Sequence, residues 1–111
     1  MTVPLRIVTP ARLDLIAMTE FLVSRDVRVA VKFRRAVRAS LDRLRKTPDL
    51  GELWPSSDDR LQGLRVWSIR GFRNHLIFHR YTNGEVVVLR VLHASQDAST
   101  IFAREEGPEP R

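Results

Sequence analysis

The sequence predicts one α+β domain: an N-terminal strand, an antiparallel helical hairpin, a three-stranded antiparallel meander and a short C-terminal helix. Three observations carry this expectation. Apolar residues recur at helical spacing from Ala11 to Lys46, short β-prone runs fill Leu64 to His93, and Asn83-Gly84 divides the last two runs with the residue pair that a two-residue hairpin turn prefers. A chain of 111 residues with 43% hydrophobic content supports a single core, so residues 1–104 are assigned to one domain and residues 105–111 to a disordered tail.

Val3 to Val8 reads as a strand that joins the sheet, with Leu5 and Ile7 alternating with polar or smaller neighbours. Thr9 and Pro10 then suit a helix start, a hydroxyl cap followed by proline at the first helical position. In the first helix Leu13, Ile16, Ala17 and Phe21 form one stripe and Leu15, Met18 and Leu22 a second beside it, an apolar face wide enough to be covered on two sides. The second helix spans Val27 to Lys46, with Ala30, Phe33, Val37, Leu41 and Leu44 inward and Arg28, Lys32, Arg35, Arg38 and Lys46 outward, and Pro48 ends it. Only Ser24, Arg25 and Asp26 remain as a connection, so the helices lie side by side with Asp26 capping the second.

The polar stretch Thr47 to Gly63 is expected to be an exposed loop, pinned by Trp54 and Pro55. Leu64 to Arg70, His75 to Tyr81 and Glu85 to His93 follow as strands. The Asn83-Gly84 turn sets Thr82 opposite Glu85; counting onward puts Phe78 opposite Leu89 and Leu76 opposite Val91. These residues and Val87 give an apolar face expected to cover the helices, while His75, Ile77, His79, Tyr81 and Arg90 share the other face and His93 lies across the sheet from His75. Ala94 to Arg104 closes the domain as a helix capped by Ser95, carrying Ile101 and Phe102 to the core.

Charge and composition narrow the function classes. The balance is 19 Lys+Arg against 13 Asp+Glu, a net +6 held almost entirely by arginine, which suits carboxylates and phosphates alike; a nucleic acid or an acidic protein fits this surface. No cysteine is present, so disulfides and thiolate metal sites are excluded and a reducing bacterial cytoplasm fits best. No apolar run suggests a signal peptide or a membrane span. His75 and His79, four residues apart on a strand, are about 13 Å apart, too far to chelate one metal, so neither metal nor cofactor is expected.

The run LQGLRVWSIRGFRNHLIFHRY from Leu61 to Tyr81, followed by VLRVLHASQD from Val88 to Asp97, is similar to the ParE branch of the RelE/ParE toxins, and the similarity spans nearly the whole chain. The resemblance implies the toxin of a type II toxin–antitoxin pair of the kind that stabilises plasmids, held in a hetero-oligomer by an antitoxin with a flexible acidic segment. Leu15, Met18, Leu22, Arg28, Lys32, Arg35 and Arg38 are the residues suited to meet that segment. It also implies inhibition of DNA gyrase by protein binding, with no catalytic residue; Arg65, Arg73, Tyr81 and Arg90 are the expected target contacts.

The alternative within the superfamily is a ribosome-dependent messenger-RNA endoribonuclease, for which His75, Arg90 and His93 would supply acid–base and phosphate-binding groups. Against the RelE pattern, however, His75 and Gln96 stand where arginines are expected and Phe102 where a tyrosine is expected, and phenylalanine has no proton to transfer. A third class, a small basic nucleic-acid-binding domain, suits the charge, but the sequence has no phosphate-binding glycine loop, zinc spacing or paired stacking aromatics.

Overall fold

A computed structural model describes residues 2–104, so the expected tail at 105–111 lies outside the described residues. The order is β1 (Leu5–Ile7), α1 (Thr9–Arg25), α2 (Val27–Lys46), β2 (Glu52–Leu53), β3 (Arg65–Ile69), β4 (Phe72–Thr82), β5 (Glu85–His93) and α3 (Ala98–Arg104). The five strands form one sheet in the order β1-β5-β4-β3-β2, antiparallel except that β1 runs parallel to β5. The expected architecture is the one present.

The helical hairpin is tighter than expected. α1 continues through Ser24 and Arg25, and Asp26 alone separates the helices. Its extended backbone (φ −163°, ψ 109°) turns the chain while its N–H closes α1 on Leu22 O and its carboxylate accepts from Arg28 N–H. One acidic residue thus satisfies orphan backbone groups of both helices. At the other end, α1 begins at Thr9 after Val8, which makes no side-chain cap bond, so the threonine is inside the helix and does not cap it.

The polar stretch after α2 contributes a short edge strand. Glu52 and Leu53 pair with Val66 and Arg65, and a 3-10 turn at Asp59–Leu61 follows. Gly51 makes this possible: its φ is +90°, and a Cβ there would meet Val66 O at 2.4 Å. Trp54 anchors the stretch edge-on against Phe78, ring centroids 5.2 Å apart, whereas Pro55 is exposed.

The sheet departs from the expected register at a bulge in β5. Asn83 and Gly84 both adopt positive φ and set Thr82 opposite Glu85 as expected. His79 then pairs with Val88, but Phe78 pairs with Arg90 and Leu76 with Leu92, so Leu89 is an extra residue on β5.

The helical hairpin covers the face of Ile77, Val86, Val88 and Val91, where Ala11, Phe33 and Leu44 complete the core; this is the reverse of the expected orientation. Leu76, Phe78, Leu92 and the partly buried Leu89 turn instead toward Leu64, Trp54 and Phe102, a second cluster beneath α3. Because both faces are apolar, alternation alone does not say which one meets the hairpin. α3 starts at Ala98, and Asp97 accepts from the Thr100 N–H and hydroxyl; the expected cap, Ser95, bonds the His93 ring.

Candidate functional site

α1 is apolar around most of its circumference, and the fold decides which stripe is spare. Ala11 is fully buried, and Leu15, Met18 and Leu22 continue its line down the helix onto the core. The other stripe remains in solvent: Leu13 is 58% exposed, Ile16 48% and Phe21 56%, and Val27 and Val31 extend the exposed apolar surface onto α2. Of the two stripes read from the sequence, the spare one is therefore Leu13, Ile16 and Phe21, and Met18 and Leu22 are packing residues.

A cleft of about 630 Å³ opens between α1, α2 and β1. Its floor and walls are Leu5, Leu15, Ile16, Phe33, Val37 and Leu41; Arg12, Arg34, Arg38 and Arg45 surround it, with Glu20 and Asp42 as the acids. Leu5 belongs to the outer strand β1, whose far side has no neighbour in the sheet among the described residues. Two of the cleft arginines hold that strand, Arg45 donating to Val3 O at 3.0 Å and Arg12 to Ile7 O at 3.5 Å. The arrangement is an apolar slot with a cationic rim beside an open strand edge, which can accept an extended or helical acidic peptide. Of the expected antitoxin contacts, Leu15 and Arg38 line this cleft, while Arg28, Lys32 and Arg35 do not.

The other expected site residues do not form one surface. Arg65 donates to Gly51 O and holds the β2 segment, and Arg73 and Tyr81 are exposed near opposite ends of β4, about 26 Å apart by strand rise. Arg90 reaches α1, where its Nε and Nη2 donate to the two carboxylate oxygens of Asp14, each at 2.7 Å, and Val91 N–H adds a third bond to the same group at 2.9 Å.

The bulge brings His75 and His93 together, correcting their expected separation: they are directly paired, with ring centroids 5.1 Å apart at 89°. His75 also packs on Phe33 and Phe72, and burial, reinforced by His93, lowers its pKa. The His93 Nδ1 is engaged by Ser95 N–H and hydroxyl. His79 is fully buried, and desolvation pushes its pKa down to about 4. Among the described residues no group of three or more His, Cys, Asp or Glu could hold a metal ion.

Asp14, Arg12, Arg34 and Arg45 were not singled out from the sequence, and Ile16 was read only as a member of an apolar stripe. For Asp14 a signal existed, an acid set between Leu13 and Leu15 on a helix otherwise apolar at those positions. The cleft residues carried none, because the cleft exists only once α1, α2 and β1 are assembled.

This architecture is shared with chains of solved toxin–antitoxin systems. Solved structures with the same architecture include the chromosomal ParDE toxin–antitoxin system from P. aeruginosa, with a TM-score of 0.67, 19% identity and coverage of 83% of this chain and 96% of that one. Another is the toxin–antitoxin complex RelBE2 from Mycobacterium tuberculosis, with a TM-score of 0.53, 23% identity and coverage of 84% and 99%. No curated protein matches. The family model for the ParE toxin of the type II toxin–antitoxin system parDE matches residues 5–98, and the chain belongs to that family.

Proposed function

We propose that this ParE-family toxin inhibits DNA gyrase by binding the enzyme, in the bacterial cytoplasm, and is neutralised by a cognate antitoxin whose acidic segment occupies the cleft between α1, α2 and β1. The observation that carries the antitoxin half is the cleft itself: four arginines around an apolar floor, beside an unpaired strand edge. An acidic amphipathic segment would bury its apolar side against Leu15, Ile16, Val37 and Leu41 and offer carboxylates to Arg34 and Arg38. The exposed stripe of Leu13, Ile16 and Phe21 extends the surface available to it.

Family membership supports the gyrase half, and so does the way the groups a ribonuclease would use are committed elsewhere. Arg90 is bound by Asp14, His75 packs among Phe33, Phe72 and His93, and the His93 Nδ1 is taken by Ser95. Inhibition by binding asks for none of them as catalysts. Arg73 and Tyr81 are the exposed members of the expected target surface.

The test is gyrase supercoiling of relaxed plasmid with purified toxin, scored for lost supercoiling and for accumulated linear DNA, with antitoxin-bound toxin as control. Inhibition accompanied by linear DNA, abolished by antitoxin, is the expected result. No effect at concentrations that stop bacterial growth would overturn the gyrase assignment and redirect attention to messenger-RNA cleavage on the ribosome.

A further inference from the structure

α2 carries eight Arg and Lys residues against one acid, Asp42; Arg43 lies over the Trp67 ring, and the other seven fall into two groups facing different ways. Arg34, Arg38 and Arg45 turn toward the cleft. Arg28, Lys32, Arg35 and Lys46 lie within about 60° of one another on the helix and point directly away from the buried Phe33 and Leu44. This second group is a stripe of about 27 Å along the axis. All four residues are exposed; Arg28 meets Asp26 at 3.5 Å, and Lys32, Arg35 and Lys46 have no carboxylate partner among the described residues. Where Phe72 packs edge-on against Phe33, the β3–β4 turn adds the exposed Arg70 and Arg73 at the flank of α2.

We propose that this outward stripe of α2 binds the phosphate backbone of duplex DNA, independently of sequence and of the cleft. The composition of the face selects the partner. A protein interface is built on apolar or aromatic anchors inside a polar rim; of the exposed apolar residues of α2, Val27 lies on the cleft side and Val31 at the border beside Arg35, and the stripe itself holds none. A single-stranded nucleic acid would need aromatic platforms, and the stripe has none. What remains is a row of cations, two guanidinium groups able to make paired hydrogen bonds to phosphate oxygens and two ammonium groups, matching a rigid polyanion.

The test is fluorescence anisotropy of a labelled mixed-sequence 20-base-pair duplex titrated with the full chain, free of antitoxin, across a series of salt concentrations. The expected result is salt-dependent binding in which the double variant Lys32→Gln/Arg35→Gln weakens affinity at low salt by roughly tenfold or more and lowers the slope of log K against log salt by about 2, near one unit per lost phosphate contact. Arg34→Gln/Arg38→Gln, in the cleft, leaves the slope unchanged. The idea fails if the duplex does not bind, if cleft and stripe variants lose affinity equally, if single-stranded DNA or duplex RNA binds more tightly than duplex DNA, or if poly-glutamate outcompetes the duplex. The last outcome would assign the stripe to an acidic protein. All four side chains are in solvent, so the variants retain the fold, and far-ultraviolet circular dichroism checks this.

Discussion

Asp14 on α1 holds the guanidinium of Arg90 through both carboxylate oxygens and also accepts the Val91 N–H, with the two side chains only 13% and 16% exposed. The pair fastens the first helix to the strand at the bulge, and removing one member leaves the other largely desolvated. Asp14→Ala is expected to cost about 2–4 kcal/mol of stability in urea unfolding. The double variant Asp14→Leu/Arg90→Met is expected to lose less than Asp14→Ala alone, because it leaves no orphan charge. A loss within about 0.5 kcal/mol for Asp14→Ala would mean that the contact is an ordinary surface pair.

His79 gives the fold a dependence on acid. It is buried, and its pKa falls from 6.5 to about 4 on folding, so the unfolded chain takes up the proton first as pH drops. Stability from this residue is complete above about pH 6.5, is lost between there and pH 4, and levels off below, a difference on the order of 3 kcal/mol. His75, lowered for the same reason, acts in the same direction. Urea midpoints measured from pH 7.5 to 4 should fall for the parent protein and fall less for His79→Leu; parallel curves for the two would remove His79 as the cause.

Gly51 is where the segment after α2 passes tightly against β3. With φ at +90° and Val66 O at 2.4 Å from an added Cβ, Gly51→Ala must displace backbone and detach β2. We expect a loss of roughly 1–3 kcal/mol and faster tryptic cleavage at Arg60, while the helical signal is unchanged. Cleavage at the parental rate would show that β2 adapts without detaching.

Ile16 and Arg38 face each other across the cleft lining without being needed by the core, since both are exposed. Ile16→Asp and Arg38→Glu should each weaken binding of the cognate antitoxin by tenfold or more, about 1–3 kcal/mol, in titration calorimetry, with thermal stability unchanged. Arg28→Glu, outside the cleft, serves as the matched control. Equal losses for all three would point to general charge attraction in place of a seated segment.

The helices were legible because their signals are local. A period of 3.6 and an aspartate at the junction define α1 and α2 without reference to the rest of the chain. The β4–β5 turn was legible for the same reason: only positive-φ residues fit it, and Asn83-Gly84 supplies them. The orientation of the sheet was not legible, because both of its faces are apolar and covered, one by the hairpin and one by α3 with Trp54. The same holds for α1, whose two stripes have equal apolar character, so that only the assembled core separates Leu15, Met18 and Leu22 from Leu13, Ile16 and Phe21. A two-residue strand such as β2 has no period to read. Of the expected antitoxin contacts, Leu15 and Arg38 line the cleft and Arg28, Lys32 and Arg35 do not, because charge along a helix does not reveal which neighbour it faces.

The extra residue at Leu89 divides β5 into two halves of opposite parity. Ahead of it, Val86 and Val88 are the even-numbered members of the hairpin core; beyond it the odd-numbered Val91 takes that role and the even-numbered Leu92 goes to the other side. Loss of that codon would restore an unbroken pleat and leave every later side chain on its present side, Val91 toward the hairpin and Leu92 toward α3, whereas loss of one codon at Ile77, on the partner strand where no residue is spare, would turn one half of β4 over. Loss of one codon at the exposed Ser57 or Asp59 only shortens a loop. A library of single-codon deletions should therefore survive at Leu89 and around Ser57 and fall silent at Ile77, a contrast in tolerance between paired strands that no comparison of their hydrophobicity or charge would foretell.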